Sequence, residues 1–358
     1  MLTVCVQILS KNCQKLQFCI ELALIDGWQC VIKKGEFKPG DSCVYFEIDS
    51  LLPIEDRYEF LRKSSHITIK TPIIGYPKEG FRLKTIRLKG QYSQGLALPI
   101  SSFPELKVAG DQVIVGGEVR RIKDDIADLL NVVKYDPPLP ASLSGIAKGN
   151  FPSFIPKTDE ERIQNLPYIF DECVDEEFEC TEKVDGSSMT VYFYDGEFGV
   201  CSRNLELKES DSNTFWKVAN KSGLRKYLTG LNRNLALQGE VAGEGIQKNP
   251  LHLKGQEFFL FNIYDIDNCR YFSSRERSEF FRDMEDLNIF HVPVISSEMK
   301  VFEEYKTVDE LLEFATSKSK LNENRNREGV VFKSLNKING KLLSFKAISN
   351  KYLLKNDS

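Results

Sequence analysis

The chain has 358 residues, 41% of them hydrophobic, and a formal net charge of −4. It is therefore long enough for two domains with cores of their own and is composed as a globular protein, not a disordered one. The charge excludes attraction to a polyanion by the molecule as a whole, so a nucleic-acid partner would have to meet local basic faces.

Nine cysteines, Cys5, Cys13, Cys19, Cys30, Cys43, Cys173, Cys180, Cys201 and Cys269, are odd in number and include no Cys-x-x-Cys pair. This argues against zinc knuckles and for reduced thiols in an intracellular compartment, the cytoplasm or the nucleus. Met1 leads straight into a strand-like run with no signal peptide, and no apolar stretch reaches membrane-spanning length. The expectation is a soluble protein without a membrane partner.

From Leu2 to about Arg121 the chain reads as short strands, Val4–Leu9, Trp28–Lys33, Cys43–Ile48 and Val113–Val115. Turn signals at Lys38-Pro-Gly-Asp41, Gly75-Tyr-Pro77 and Ala109-Gly-Asp111 divide them. This is the trace of a small β-barrel of the oligonucleotide-binding (OB) type over residues 1–121, and an SH3-like barrel would leave a similar one. Lys33 and Lys34 lie together, and the run Phe81-Arg-Leu-Lys-Thr-Ile-Arg-Leu-Lys89 sets Arg82, Lys84, Arg87 and Lys89 among apolar residues. Strand alternation would put most of these charges on one side, with Leu83, Ile86 and Leu88 partly on the other. An ordinary solvated strand face has the same pattern. Over residues 122–165, Pro137, Pro138, Pro140, Pro152 and Pro156 break any regular element, as in a linker that wraps.

Residues 166–358 alternate strands with amphipathic helices, expected at Thr214–Leu228, Ser274–Leu287 and Val308–Lys318. Thr307-Val-Asp-Glu310 resembles a capping box, and Ser273 precedes Arg275-Glu276. The expected architecture is a second, α+β domain. At its start, Thr181-Glu-Lys-Val-Asp-Gly-Ser-Ser188 presents Lys183 in a Gly-containing turn before the strand-like Met189–Tyr194. A lysine attacks phosphorus or carbonyl carbon only where its site removes the proton. Gly186 permits close approach of the backbone to a ligand, and Asp185 could orient a metal-bound water or the lysine. The same residues would also make a solvated hairpin turn, since Asp-Gly is a favoured pair.

Further charged islands sit beside apolar strands: Ser202-Arg-Asn204, Leu237-Gln-Gly-Glu-Val-Ala-Gly243, Gln256–Asp265, Arg327-Glu-Gly-Val-Val-Phe-Lys333 and Leu342-Leu-Ser-Phe-Lys346. Singly, each reads as core packing or a strand end facing water. In this order, Lys-x-Asp-Gly, Ser-Arg-Asn, Gly-Glu-x-x-Gly, an aromatic strand, Glu-Gly-Val-Val-x-Lys and a last strand lysine, the series resembles the covalent nucleotidyltransferases. Within them it is most similar to the ATP-dependent RNA ligases of the Deinococcus and Naegleria type, which carry an OB barrel before an antiparallel-sheet nucleotidyltransferase domain. Gly27–Lys33, Val44–Asp49, Arg82–Arg87, Ser93–Pro99 and Ile155–Arg162 resemble that family's leading domain and linker.

The resemblance implies a lysyl-AMP intermediate at Lys183, formed from ATP with magnesium or manganese. AMP would pass to an RNA 5′-phosphate, and a 3′-hydroxyl would displace it, at nicks in duplexes and by a monomer. Lys333 and Lys346 would contact the α-phosphate and keep Lys183 unprotonated by like-charge repulsion. Glu182, Arg203, Glu240 and Phe261 would hold the nucleotide, with Phe261 on adenine, Glu240 on the ribose and Arg203 on phosphate. Asp185, Glu240 and Glu328 are the expected oxygen donors near a metal that keeps most of its waters. His66, His252 and His291 lie outside every motif. Two positions depart from the family pattern: Ser344 stands where many relatives have a second lysine, and Ser188 where some have asparagine. A DNA ligase or capping-type transferase would share the lysine chemistry but would need a trailing barrel for which about a dozen residues after Lys346 leave no room. A non-catalytic RNA-binding protein would not be expected to keep the charged motif residues.

Overall fold

The structure, a computed structural model, describes residues 4–8, 20–69, 76–135 and 145–356. Leu9, Cys13, Cys19, Gly75, Pro137, Pro138 and Pro140, and the side chain of Cys5, lie outside the described residues. The chain divides into two compact units, Met1–Pro140 with Gln164–Pro167 and Leu353–Ser358, and Ala141–Ile163 with Tyr168–Tyr352.

The strands of the first unit are β1 (Val4–Ile8), β2 (Ile20–Ile25), β3 (Trp28–Lys33), β4 (Ser42–Phe46), β5 (Ser50–Leu52), β6 (His66–Thr68) and β7 (Glu79–Arg82). They continue with β8 (Thr85–Leu88), β9 (Gln91–Gln94), β10 (Leu96–Pro99), β11 (Leu106–Ala109), β12 (Gln112–Val115), β13 (Glu118–Arg121) and β14 (Val133–Lys134). They pair antiparallel in short sheets ordered β1-β4-β10, β2-β3, β14-β5-β7-β6, β8-β9 and β11-β12-β13, and among the described residues they do not close into a barrel. In β3, Trp28, Cys30 and Ile32 are buried and alternate with Gln29, Val31 and Lys33, which are not; this is the period of a half-buried strand. Val44, Phe46, Phe81, Phe103 and Val113 form the core. Ile126, Leu130 and Val132 complete that core and β14 pairs with β5, so the start of the proline-containing stretch is built into this unit.

The basic run Phe81–Lys89 is not one strand, because β7 and β8 belong to different sheets. Leu83 turns into the core at 5% exposure, and Arg82 is bound to Asp49 at 3.2 Å with its guanidinium 4.2 Å from the Tyr135 ring. Ile86 and Leu88 are 42% and 40% exposed, so the expected division into a charged and an apolar side fails. What remains basic is the β8-β9 hairpin, where Arg87 lies over the Tyr92 ring.

The second unit begins with β15 (Ala147–Asn150) and β16 (Glu161–Arg162), then β17 (Phe178–Lys183), β18 (Ser187–Tyr194), β19 (Glu197–Ser202) and β20 (Leu205–Leu207). Helices α1 (Thr214–Lys221) and α2 (Leu224–Leu231) lead to β21 (Leu235–Gly243), β22 (Gln256–Asp265) and β23 (Arg270–Tyr271). Helix α3 (Ser274–Arg282), β24 (Phe290–His291), β25 (Val294–Met299), helix α4 (Val308–Ala315), β26 (Gly329–Ile338) and β27 (Lys341–Ile348) follow, and helix α5 (Asn350–Asn356) runs to the end of the described residues. One sheet is ordered β15-β20-β19-β18-β21-β22-β23, with β24 also on β22; the other is β16-β27-β26-β17-β25. Pairing is antiparallel throughout except β16 with β27 and β24 with β22.

Helices α1 and α2 bury Trp216, Val218, Leu224 and Leu228 against Met189, Val200 and Leu237 of the first sheet. The single helix expected over Thr214–Leu228 is broken at Gly223, whose φ of 80° lies in the left-handed region. Ser273 caps α3 with Glu276 in a reciprocal capping box, and the Thr307 hydroxyl accepts the Glu310 N–H at the start of α4. These two helices end at Arg282 and Ala315, short of the expected Leu287 and Lys318. Among the described residues no helix is long and apolar enough to cross a membrane, and the six described cysteine side chains are all free thiols.

Candidate active site

Strand register gathers the motifs. In the second sheet Lys183 lies opposite Gly329, Glu179 opposite Lys333, and Val331 opposite Lys346. The ends of β17, β26 and β27 therefore deliver Lys183, Glu328 and Lys346 together. Lys183 Nζ donates to Glu328 Oε2 at 2.7 Å. On the other side of the turn Ser188 pairs with Glu240. A Cβ on Gly186 would fall 2.3 Å from the Val241 carbonyl oxygen and 2.9 Å from Glu240 Cγ, so only glycine lets this turn pass close enough to bring Glu240 to Lys183.

The electrostatics around Lys183 differ from expectation. Burial works to lower the pKa of Lys183, but Glu328, Glu240 and Asp185 outweigh it and hold the pKa above that of an ordinary lysine. Lys183 is thus an ammonium in the free protein, because its nearest neighbours are carboxylates. The repulsion expected from Lys333 and Lys346 does not govern it. Burial pushes Glu240 up to about 8, against the pull of Lys183 and with help from the Glu328 and Asp185 charges.

Lys333 and Lys346 are themselves depressed. Burial, then Arg277, brings Lys333 down to about 7; burial, then Arg162, brings Lys346 down to about 8. Lys333 Nζ donates to the Phe261 carbonyl at 2.7 Å and to Asn262 Oδ1, and lies 5.7 Å from the Phe261 ring. The cause is a bulge in β22: Gln238 pairs with Asn262 and Gly239 with Leu260, leaving Phe261 unopposed. Such an inserted residue re-aims its side chain and frees its carbonyl from the ladder. Phe261 and Leu321 pack against Val184, Phe259 and Val292, making an apolar wall. Glu182, 1% exposed, accepts the Lys320 N–H at 2.7 Å with one oxygen, while its other, buried oxygen finds no hydrogen-bond partner among the described residues.

Arg203 is more exposed. It lies 3.6 Å from Asp159, whose carboxylate also accepts from Lys346 at 3.3 Å. Ser344 is opposite Lys333 and donates to the Phe332 carbonyl at 3.3 Å, so it offers no cation. Arg162, brought beside Lys346 by the parallel β16-β27 pair, supplies positive charge there instead. His291 accepts from Arg277 Nε at 2.9 Å, and with Arg277 paired to Glu179 it stays neutral, burial bringing its pKa down to about 4. Asp159, Arg162, Asn262 and Tyr352 were not assigned from the sequence. A neighbour of an aromatic strand residue reveals nothing of a bulge, and the β16-β27 pairing joins segments with no shared pattern.

Among the described residues no three His, Cys, Asp or Glu converge closely enough to ligate a metal ion directly. Asp185, Glu240 and Glu328 nevertheless all act on Lys183, and burial, with the charges of Glu328 and Asp185, raises Glu240. That donor set fits a hard, oxygen-preferring dication held through its waters.

A family model described as RNA ligase matches residues 176–348, and an OB-fold domain model matches residues 7–100. Naegleria gruberi RNA ligase, solved as an apo mutant, is 43% identical with a TM-score of 0.86, covering 99% of this chain and 98% of that one. A mutant with ATP and Mn gives the same identity and a TM-score of 0.86, covering 99% of each chain. The same ligase with PPi is 43% identical with a TM-score of 0.84, covering 99% of this chain and 98% of that one. No curated protein matches the chain. With an OB-fold domain ahead of the lysine pocket, the chain belongs to the RNA ligase family, as an ATP-dependent ligase of the nucleotidyltransferase type.

Proposed function

We propose that this ligase works through a lysyl-AMP intermediate at Lys183 and seals 3′-hydroxyl to 5′-phosphate ends at nicks in RNA duplexes. The observation that carries this reading is the convergence of Lys183, Glu328 and Lys346 from three adjacent strands, with Lys183 Nζ 2.7 Å from Glu328. Lys183 must lose a proton before it attacks, and Glu328 is the acceptor in reach. The amine then bonds to the α-phosphorus of ATP as the bond to pyrophosphate breaks. An oxygen of the RNA 5′-phosphate next displaces Lys183 from that phosphorus, giving an RNA 5′-adenylate. Finally the 3′-hydroxyl, losing its proton, attacks the 5′-phosphate and expels AMP.

Placement supports the other roles. Lys333 and Lys346 meet the α-phosphate, Arg203 the outer phosphates, and Arg162 offsets the missing lysine at Ser344. Phe261 and its apolar wall receive adenine, and the unpartnered oxygen of Glu182 would accept from its amine. Glu240, at least partly protonated at neutral pH, would bond a ribose hydroxyl. Asp185, Glu240 and Glu328 would hold magnesium or manganese through its waters, and the ion would supply charge neutralisation on the phosphates.

The domain up to about Arg121 would add RNA affinity, and residues 166–358 the chemistry. The free thiols favour a reducing compartment, the cytoplasm or nucleus, and the protein would act as a monomer. Incubation with α-labelled ATP and Mn2+, followed by denaturing electrophoresis, tests the central step. The parent chain should carry a covalent label that Lys183→Ala lacks, while Lys183→Ala should still seal RNA already bearing a 5′-adenylate. Retained labelling in Lys183→Ala would move the nucleophile elsewhere.

A further inference from the structure

We infer that Tyr352 is a positioning residue for adenylation: its phenol, delivered by the first turn of α5, fixes the Asp185 carboxylate that would hold the nucleotide's divalent ion through water. The inference rests on the lysyl-AMP reading above.

Asp185 lies between the last ladder residue of β17, Lys183, and the first of β18, Ser187. No strand pairing holds that turn, so side-chain partners set where its carboxylate points. An ionised carboxylate has no proton to give, so the bond between Tyr352 Oη and Asp185 Oδ2 runs from the phenol to the acid.

Tyr352 is 7% exposed and its backbone is tied down. Its N–H donates to the Ser349 carbonyl at 3.0 Å, and the Ser349 N–H donates to the Glu328 carbonyl at 2.9 Å. Ser349 Oγ also meets Thr316 Oγ1 at 2.9 Å. The phenol is thereby fixed to the segment that carries Glu328 and Lys346, and through it Asp185 is fixed to the same frame. Without the phenol, the Asp185 carboxylate would lose this tie to the frame that carries Glu328 and Lys346.

The test uses the full chain with Tyr352→Phe, which keeps the ring, together with Asp185→Ala and the double variant. Binding of Mn2+ in the presence of α,β-methylene-ATP is followed by electron paramagnetic resonance, and self-adenylation is resolved into kcat and KM for ATP. Tyr352→Phe should bind Mn2+ about tenfold more weakly and lower kcat by about ten- to hundredfold with KM little changed, as for a missing hydrogen bond to a charged group. In the Asp185→Ala background the same change should have no further effect. Parental Mn2+ binding and kcat in Tyr352→Phe, or an equal loss in both backgrounds, would overturn the inference and leave Tyr352 a packing residue. A parent chain that forms no lysine-linked AMP would instead sink the reading beneath it.

Discussion

Lys183 is an ammonium in the free protein, and the two lysines on the neighbouring strands sit near their own titration points at about 7 and about 8. These facts pull in opposite directions with pH. Loss of the Lys183 proton would favour the proposed attack as pH rises, since its pKa is held above the ordinary lysine value. Lys333 and Lys346 attract phosphate only while protonated, so nucleotide affinity should fall as pH rises through 7 and 8. A bound polyanion raises both pKa values, and binding of α,β-methylene-ATP near pH 7.5 should therefore take up protons. Calorimetry in buffers of different ionisation enthalpy reads that uptake directly, and proton release would contradict the assignment of these lysines to phosphate. Side-chain removal should be graded by charge. Glu328→Ala should slow adenylation by orders of magnitude, since a preorganised polar contact in such a site is worth about 3–4 kcal/mol. Phe261→Leu should be milder, because base stacking contributes about 1–3 kcal/mol and leucine keeps part of the apolar surface under the base. Single-turnover labelling would separate the two, and a Glu328→Ala chain that labels at the parental rate would remove Glu328 from the site.

The β22 bulge does for Lys333 what the Gly186 turn does for Glu240: it sends a chain segment where regular pairing would not. Phe261 gives its ring to the apolar wall and its carbonyl to Lys333, and Asn262 adds a second acceptor. Asn262→Ala should lower the adenylation rate by about ten- to hundredfold, the scale of a hydrogen bond to an ion, with little change in melting temperature. An unaltered rate would mean that the Phe261 carbonyl alone positions the lysine. This element also marks the limit of what the sequence shows. Lys183, Lys333 and Lys346 are legible because each ends an apolar strand inside a recognisable motif. A one-residue insertion leaves strand composition unchanged, so the bulge is invisible, and Asn262 with it. Tyr352 lies after the last motif, where the sequence assigns no role. The break at Gly223 is marked by the glycine itself, yet the amphipathic period runs through it and suggests one helix over Thr214–Leu228.

For the whole molecule, the basic surface of the first unit has to be reassigned before its role can be tested. Arg82 is bound to Asp49 and stacked on Tyr135, so Arg82→Ala would disturb the unit's packing and report little about RNA. The β8-β9 hairpin is different: Arg87 and Lys89 are exposed, Lys84 is partly so, and Ile86 and Leu88 add apolar surface between them. A net charge of −4 gives no general attraction to RNA, so affinity at the first unit has to come from a local stripe of this kind. Replacing Lys84, Arg87 and Lys89 together by alanine in the full chain should leave self-labelling with ATP unchanged, because none of the adenylation motifs lies in residues 1–121. RNA binding should weaken, and the slope of log affinity against log salt should flatten by roughly one unit for each RNA phosphate that the variant no longer neutralises. Titrations of a nicked RNA duplex across several salt concentrations measure both quantities. Unchanged affinity and slope would move the RNA path off this hairpin and leave its charges as a solvated face, while a loss of self-labelling would show that the hairpin supports the chemistry as well.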